Sequence, residues 1–236
     1  MMLSRTVVFW DFDGTLATRA GGWWGGALYD ALRDRSPDTD VTREMLTPHL
    51  QAGFPWHDPD KPHLHLCDPA EWWRYMEALL ARALVNVGIG ESEAAVCARE
   101  VRGRYLNPSR WTVYDDAVPA LTTMRGLGVR NIILSNHVPE LEWLVGKLGF
   151  GAHLDGVITS ALIGYEKPNQ KVYEIALETA GYPASAYMVG DNPVADVAGP
   201  EAVGIRGILI SRRGDGEGER VVSSLLDVAS LVRLGA

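Results

Sequence analysis

The sequence predicts an α/β fold: a parallel sheet with helices on both faces, interrupted near its start by an inserted α-helical segment. Three observations predict it. Thr6 to Trp10, reading TVVFW, is a mostly apolar run of strand length that stops on Asp11-Phe12-Asp13-Gly14-Thr15, and such runs suit strands covered on both faces. From Val113 onward, short β-branched runs alternate with helical stretches, the pattern of βαβ units. Between these parts, residues 17–110 are helical in pattern and rich in aromatics, with no clear strand.

After Leu16 the strand character stops, and Ala20-Gly21-Gly22-Trp23-Trp24-Gly25-Gly26 reads as a glycine-rich hinge carrying two bulky rings. Ala27 to Arg35 predicts a helix broken by Ser36-Pro37-Asp38, and Thr42 is the N-cap expected for a helix over Arg43 to Gln51. Gly53 to Pro69 has four prolines and three histidines and reads as a structured loop. Glu71 to Val87 is a strongly amphipathic helix, with Trp72, Tyr75, Met76, Leu79, Leu80 and Ala83 at helical spacing. Gly88 to Gly90 ends it, a further helix runs to about Leu106, and Asn107-Pro108-Ser109 closes the insertion. Helices are then expected over Asp115 to Gly126, Pro139 to Leu148, Pro168 to Ala180 and Asp196 to Val203. They alternate with strands at Val129 to Leu134, Gly156 to Thr159, Tyr187 to Val189 and Arg206 to Ile210. Residues 212–220 read as an exposed loop before a short final helix. The domain expectation is a core from residues 1–16 and 111–236, with a helical insertion over 17–110.

With 236 residues the chain is long enough to bury a sizeable core. The net charge of −8 disfavours nucleic acid and anionic membranes as partners. It also means that an anionic substrate needs local cations. No membrane span or signal peptide is expected, and two cysteines provide no disulfide framework, so the cytoplasm is the expected location.

Polar residues collect at strand ends. Asp11 and Asp13 follow the first strand, and Ser135-Asn136 follows Ile132-Ile133-Leu134. Lys167 lies in Gly164-Tyr165-Glu166-Lys167-Pro168, where a helix begins. Asp191 and Asp196 lie in Gly190-Asp191-Asn192-Pro193-Val194-Ala195-Asp196. In a parallel sheet all of these fall on one edge, where open α/β sheets bind ligands. Singly, Ser135 reads as a turn or cap residue, Lys167 as a solvated charge and Asp191 as a helix cap. Together, four carboxylates on one edge repel one another unless a cation is present. Mg²⁺, a hard ion with oxygen ligands, keeps waters that a phosphate can replace.

The order DxDGT, a strand ending in Ser-Asn, GxxKP and GDxxxxD resembles the haloacid dehalogenase superfamily, in its phosphatase branch with an α-helical cap inserted after the first motif. The resemblance implies a Rossmann-like core and a Mg²⁺-dependent phosphatase acting on a small phosphorylated metabolite. It implies Asp11 as nucleophile and Asp13 as general acid and then base. It also implies Asp11, Asp13, Asp191 and Asp196 around the metal, with Asp196 supporting the site or pairing with Lys167. Gly14, Thr15, Ser135, Asn136 and Lys167 would hold the phosphoryl group. Dehalogenases share the nucleophile but need no acid at position 13, since a halide leaves unprotonated. Phosphomutase activity uses the same Asp pair and stays open, as does a catalytically idle binding or regulatory protein on this fold. Phosphonate cleavage needs a cap lysine, and the insertion offers only Lys61, in a proline-rich loop. Ala195 departs from the polar residue common before the last Asp.

Six of the eight tryptophans lie between Trp23 and Trp111. Trp72 is expected in the core of the insertion, whereas Trp23 and Trp24, beside hinge glycines, are candidate specificity residues. His57, His63, His65 and Cys67 match no standard zinc spacing, and a folded loop is expected there.

Overall fold

A computed structural model describes residues 6–214, 216 and 218–234. The chain opens with β1 (Thr6–Trp10) and β2 (Ala17–Arg19), then α1 (Trp24–Arg35), α2 (Arg43–Leu46), α3 (Pro69–Asn86) and α4 (Glu91–Tyr105). It continues through β3 (Trp111–Val113), α5 (Ala117–Gly126), β4 (Arg130–Ser135), α6 (Leu141–Lys147), β5 (Gly156–Thr159), α7 (Ser160–Ile163) and α8 (Gln170–Thr179). It closes with β6 (Ser185–Gly190), α9 (Gly199–Glu201), β7 (Arg206–Ile210), β8 (Val221–Val222) and α10 (Val228–Leu234).

Six strands form a parallel sheet in the order β5-β4-β1-β6-β7-β8. Strand side chains alternate between faces, and β1 feeds two cores. Val8 and Trp10 pack with Ile133, Val189 and Ile208 on one side. Val7 and Phe9 pack with Ile132, Leu134, Val172 and Tyr173 on the other. Helices therefore cover both sides, and the uninterrupted apolar run of β1 follows from that double burial. From β1 the chain moves to β4 and β5 on one side and later to β6 and β7 on the other. The strand order thus reverses at β1, and ligand crevices open at the carboxyl ends of strands at such a point.

The helical segment joins the sheet through a two-stranded antiparallel ribbon of β2 and β3, with Ala17 opposite Val113 and Arg19 opposite Trp111. The strand at Ala17–Arg19 corrects the expectation of no strand over 17–110. Three residues give no periodicity to read, and the pairing partner lies far away in sequence. The other differences also have local causes. α1 begins at Trp24 rather than Ala27, and Gly26 is needed because a Cβ there would lie 2.0 Å from the Gly21 carbonyl oxygen. The helix expected over Arg43 to Gln51 is α only to Leu46, and Pro48 falls in the 3₁₀ turn Thr47–Leu50. α8 starts at Gln170, because the Asn169 side chain accepts from Lys171 N–H and caps it. A π-type turn over Pro193–Ala198 precedes α9, so the structure after β6 begins earlier than Asp196.

Part of the loop expected over 212–220 is anchored. Arg212 donates to the Thr15 carbonyl at 2.6 Å and to both carboxylate oxygens of Asp116 at 3.1 Å. Asp116, at the N-cap position of α5, also accepts from Leu225 N–H at 2.9 Å and Ser224 Oγ at 3.2 Å. Asp215 and Glu217 of that loop, like residues 1–5 of the expected core, lie outside the described residues. Asp116→Ala, by stranding these half-buried donors, is expected to lower stability by about 1–3 kcal/mol in urea denaturation.

Candidate active site

Asp11 follows β1, Ser135 ends β4, and Asp191 follows β6, so three adjacent strand ends deliver three polar groups to one point. Lys167 arrives from the loop between α7 and α8. Its Nζ donates to Asp11 Oδ1 at 2.8 Å and to Asp196 Oδ1 at 2.6 Å. Ser135 Oγ donates to the same Asp11 Oδ1 at 2.9 Å. One oxygen of Asp11, Oδ1, is thus fixed by two donors. Burial opposes the Lys167 charge, but Asp11 and Asp196 outweigh it and hold the ammonium above its ordinary pKa. Asp196 also accepts from Asn192 N–H at 3.0 Å, so both its oxygens are in use.

Asp13 is the second carboxyl of the first loop. Burial first, then the charges of Asp11 and Asp191, push it well above the usual carboxylate range. Two side chains that sequence reasoning missed stand over it. Tyr105 Oη, from the end of α4, lies 3.5 Å from Asp13 Oδ2, and His137 Nε2 lies 3.7 Å from the same oxygen. Burial pushes His137 down to about 3, so the ring is neutral. His137 directly follows Ser135-Asn136 and was within reach of a motif reading. Tyr105 carries no local signal.

Carboxylate oxygens of Asp11, Asp191 and Asp196 lie within 4.8 Å of one another, the grouping among the described residues that could share one cation. Burial, then the charges of Asp11 and Asp196, pushes Asp191 up to about 6. Clustered hard oxygen donors with unbalanced charge fit a hard divalent ion. Gly14 shapes this corner: its φ is +80°, and a Cβ there would lie 2.3 Å from Asp191 Oδ2.

The other candidates take definite places. The Asn136 side chain accepts from Lys167 N–H at 2.7 Å and donates to Lys167 C=O at 2.8 Å, which locks the lysine loop to the end of β4. Thr15 is fully buried, away from the cavity wall. Asp11, Asp13, Ser135, Asn136, Lys167, Asp191 and Asp196 all line a cavity of about 370 Å³, which Trp23, Trp24, Trp56 and Tyr105 complete. Trp72 is buried, packed edge-on against Trp73. The loop with His57, His63, His65 and Cys67 forms two 3₁₀ turns and docks beside Lys167. There His63 N–H donates to Gly164 C=O at 2.7 Å, and the Asn169 side chain donates to Pro59 C=O at 2.8 Å.

A family model described as haloacid dehalogenase-like hydrolase matches residues 6–204. The chain belongs to this family. This haloacid dehalogenase-like hydrolase is 33% identical over 142 residues to the human haloacid dehalogenase-like hydrolase domain-containing protein 3, covering 59% of this chain and 55% of that one. It is 32% identical over 170 residues to the phosphoserine phosphatase of Thermus thermophilus, covering 70% of this chain and 60% of the relative. The matches thus span little more than half of these relatives' length. Among solved structures, the 2-haloacid dehalogenase of Pseudomonas syringae superposes with a TM-score of 0.68 at 22% identity, over 98% of this chain and 99% of that one. That likeness is one of fold.

Two measurements check this geometry. Gly14→Ala should cut hydrolytic turnover by about a hundredfold by displacing Asp191, with the circular dichroism spectrum retained, since shifts on the order of 1 Å cost that much. Glu166, beside Lys167, is buried with one oxygen unpartnered, and burial pushes it up to about 7 from 4.5, against a Ser160 hydrogen bond. A carboxyl raised in the folded state binds more protons there, so its contribution is full below 4.5 and lost as pH rises through about 7. Denaturation at pH 5 and pH 8 should show Glu166→Gln gaining on the parent protein at the higher pH, by a few kcal/mol at most.

Proposed function

We propose that this hydrolase is a Mg²⁺-dependent phosphatase that cleaves a small phosphomonoester, a phosphorylated metabolite, through an aspartyl-phosphate on Asp11. The observation that carries the reading is Asp13, a carboxyl favoured in its protonated form and facing the same cavity as Asp11. A departing alkoxide needs a proton, and a departing halide does not. Relatives named as phosphoserine phosphatase and glyceraldehyde 3-phosphate phosphatase support phosphoryl chemistry.

In this reading Asp11 attacks phosphorus as the bond to the leaving oxygen breaks, and Asp13 gives that oxygen its proton. Asp13 then takes a proton from a water that attacks phosphorus, the acyl phosphate bond breaks, and inorganic phosphate leaves with Asp11 restored. Ser135 Oγ and the N–H of Asn136 hold phosphoryl oxygens, while Lys167 offsets their charge; the N–H groups of Gly14 and Thr15, expected to share that task, donate instead to the Ala17 and Phe12 carbonyls at 2.9 and 3.3 Å. Asp11, the Asp13 main-chain carbonyl and Asp191, supported by Asp196, would hold Mg²⁺. The ion supplies charge neutralisation at the phosphoryl oxygens.

Residues 17–110 act as a cap over a core of 1–16 and 111–236. Cys67 and Cys97 are both unpaired, which suits a reducing cytoplasm, and among the described residues no helix is long and apolar enough to cross a membrane.

Asp11→Asn should abolish release of phosphate from a generic aryl phosphate, a loss of roughly a thousandfold or more, while 2-haloacids release no halide from the parent protein. Chelation with EDTA should stop turnover and added Mg²⁺ restore it. Retained activity in Asp11→Asn, or halide release, contradicts the reading.

A further inference from the structure

Trp23, Trp24, Trp56 and Tyr105 form an aromatic wall of the cavity that the carboxylates also line. Resting on the phosphatase reading, we propose that this wall selects a substrate whose leaving group is an uncharged aromatic alcohol, rather than one bearing a carboxylate, a second phosphate or an ammonium.

Charge gives the first reason. Among the described residues lining the cavity Lys167 is the one lysine or arginine. Its ammonium is committed to Asp11 and Asp196 at 2.8 and 2.6 Å. Arg19 lies beneath Tyr105, 5.7 Å from the ring centroid, and spends its guanidinium on the carbonyls of Gly22 and Arg104. A second anionic group on the substrate would therefore meet no free protein cation and would face Asp13 and Asp191. Burial of an unpaired charge is strongly disfavoured.

Ring geometry gives the second. Trp24 stacks on Tyr105 at 4.2 Å and 11°, Trp24 stands against Trp56 at 6.0 Å and 30°, and Trp56 stacks on Phe54 at 4.7 Å and 13°. The faces of Trp24, Tyr105 and Trp56 are thus turned to one another and to Phe54. Ring edges are the positive end of the aromatic quadrupole and take the face of another ring. An ammonium seeks open faces arranged around it, which this stack does not provide. Trp23 is the remaining ring, 50% exposed at the cavity wall, where an aromatic ligand would cover apolar surface now open to water.

The test uses benzyl phosphate and ethyl phosphate, whose alkoxide leaving groups are similar, beside O-phosphoserine and phosphocholine, all with Mg²⁺. Benzyl phosphate should show the highest kcat/KM, by about tenfold or more over each of the others, as expected when an apolar pocket gains a ring. Trp23→Ala, at an exposed position, and Trp56→Leu should each lower the benzyl-to-ethyl ratio, with the change carried mainly by KM for benzyl phosphate. Equal kcat/KM for benzyl and ethyl phosphate, faster turnover of phosphoserine or phosphocholine, or a ratio unmoved in both variants overturns the substrate class alone. Failure to hydrolyse all four and acetyl phosphate as well overturns the phosphatase reading and this inference with it.

Discussion

The bridge from the Lys167 ammonium to Asp11 and Asp196 is the interaction on which the rest of the site depends. Four aspartates stand at one sheet edge, and their mutual repulsion would splay them apart without a positive charge among them. Lys167 is buried, so its charge costs desolvation, and only two short contacts to carboxylates outweigh that cost. The bridge also spans elements distant in sequence: the end of β1, the loop before α8 and the turn after β6. Removing one member would leave a buried charge unpaired, which is strongly destabilising.

Other contacts keep that bridge in register. The Asn136 side chain clamps the Lys167 backbone on both its N–H and its C=O, and Ser135 fixes the same oxygen of Asp11 that the lysine holds. Arg212 reaches from near the end of the chain to the carbonyl of Thr15 and steadies the first loop through Asp116. The helical segment is tied to the core through the ribbon of β2 and β3 and through the 55–67 turns docked beside Lys167. Tyr105 brings the end of α4 to Asp13, so the group assigned to proton transfer is bounded by both parts of the chain.

The parallel sheet and the acids at its edge were legible in the sequence because β1 is apolar on both faces and its neighbours repeat the pattern. A doubly buried strand admits few polar residues, so Asp11 and Asp13 stand out at its end. What could not be read had its cause elsewhere in the chain. β2 exists only because Trp111–Val113 returns beside it. Tyr105 looks like any aromatic at the end of an amphipathic helix, and its approach to Asp13 is set by how α4 packs. Asn136 was expected at the phosphoryl group, yet its side chain also orders the lysine loop. The histidines of the 57–65 stretch stand out by composition, whereas His137, immediately after Ser135-Asn136, is the one beside Asp13.

A dehalogenase and a phosphatase can share this fold and the first aspartate. The distinction rests on the fate of Asp11 and on the bond that water then attacks. The central claim is a phosphoryl group carried on the Asp11 carboxylate. The direct measurement is to quench steady-state hydrolysis of a phosphomonoester with borohydride, which reduces an acyl phosphate to an alcohol, and to sequence the peptides by mass spectrometry. The account predicts homoserine at position 11 and at no other aspartate. An unmodified Asp11 in an enzyme that is releasing phosphate, or reduction at a different residue, would contradict it.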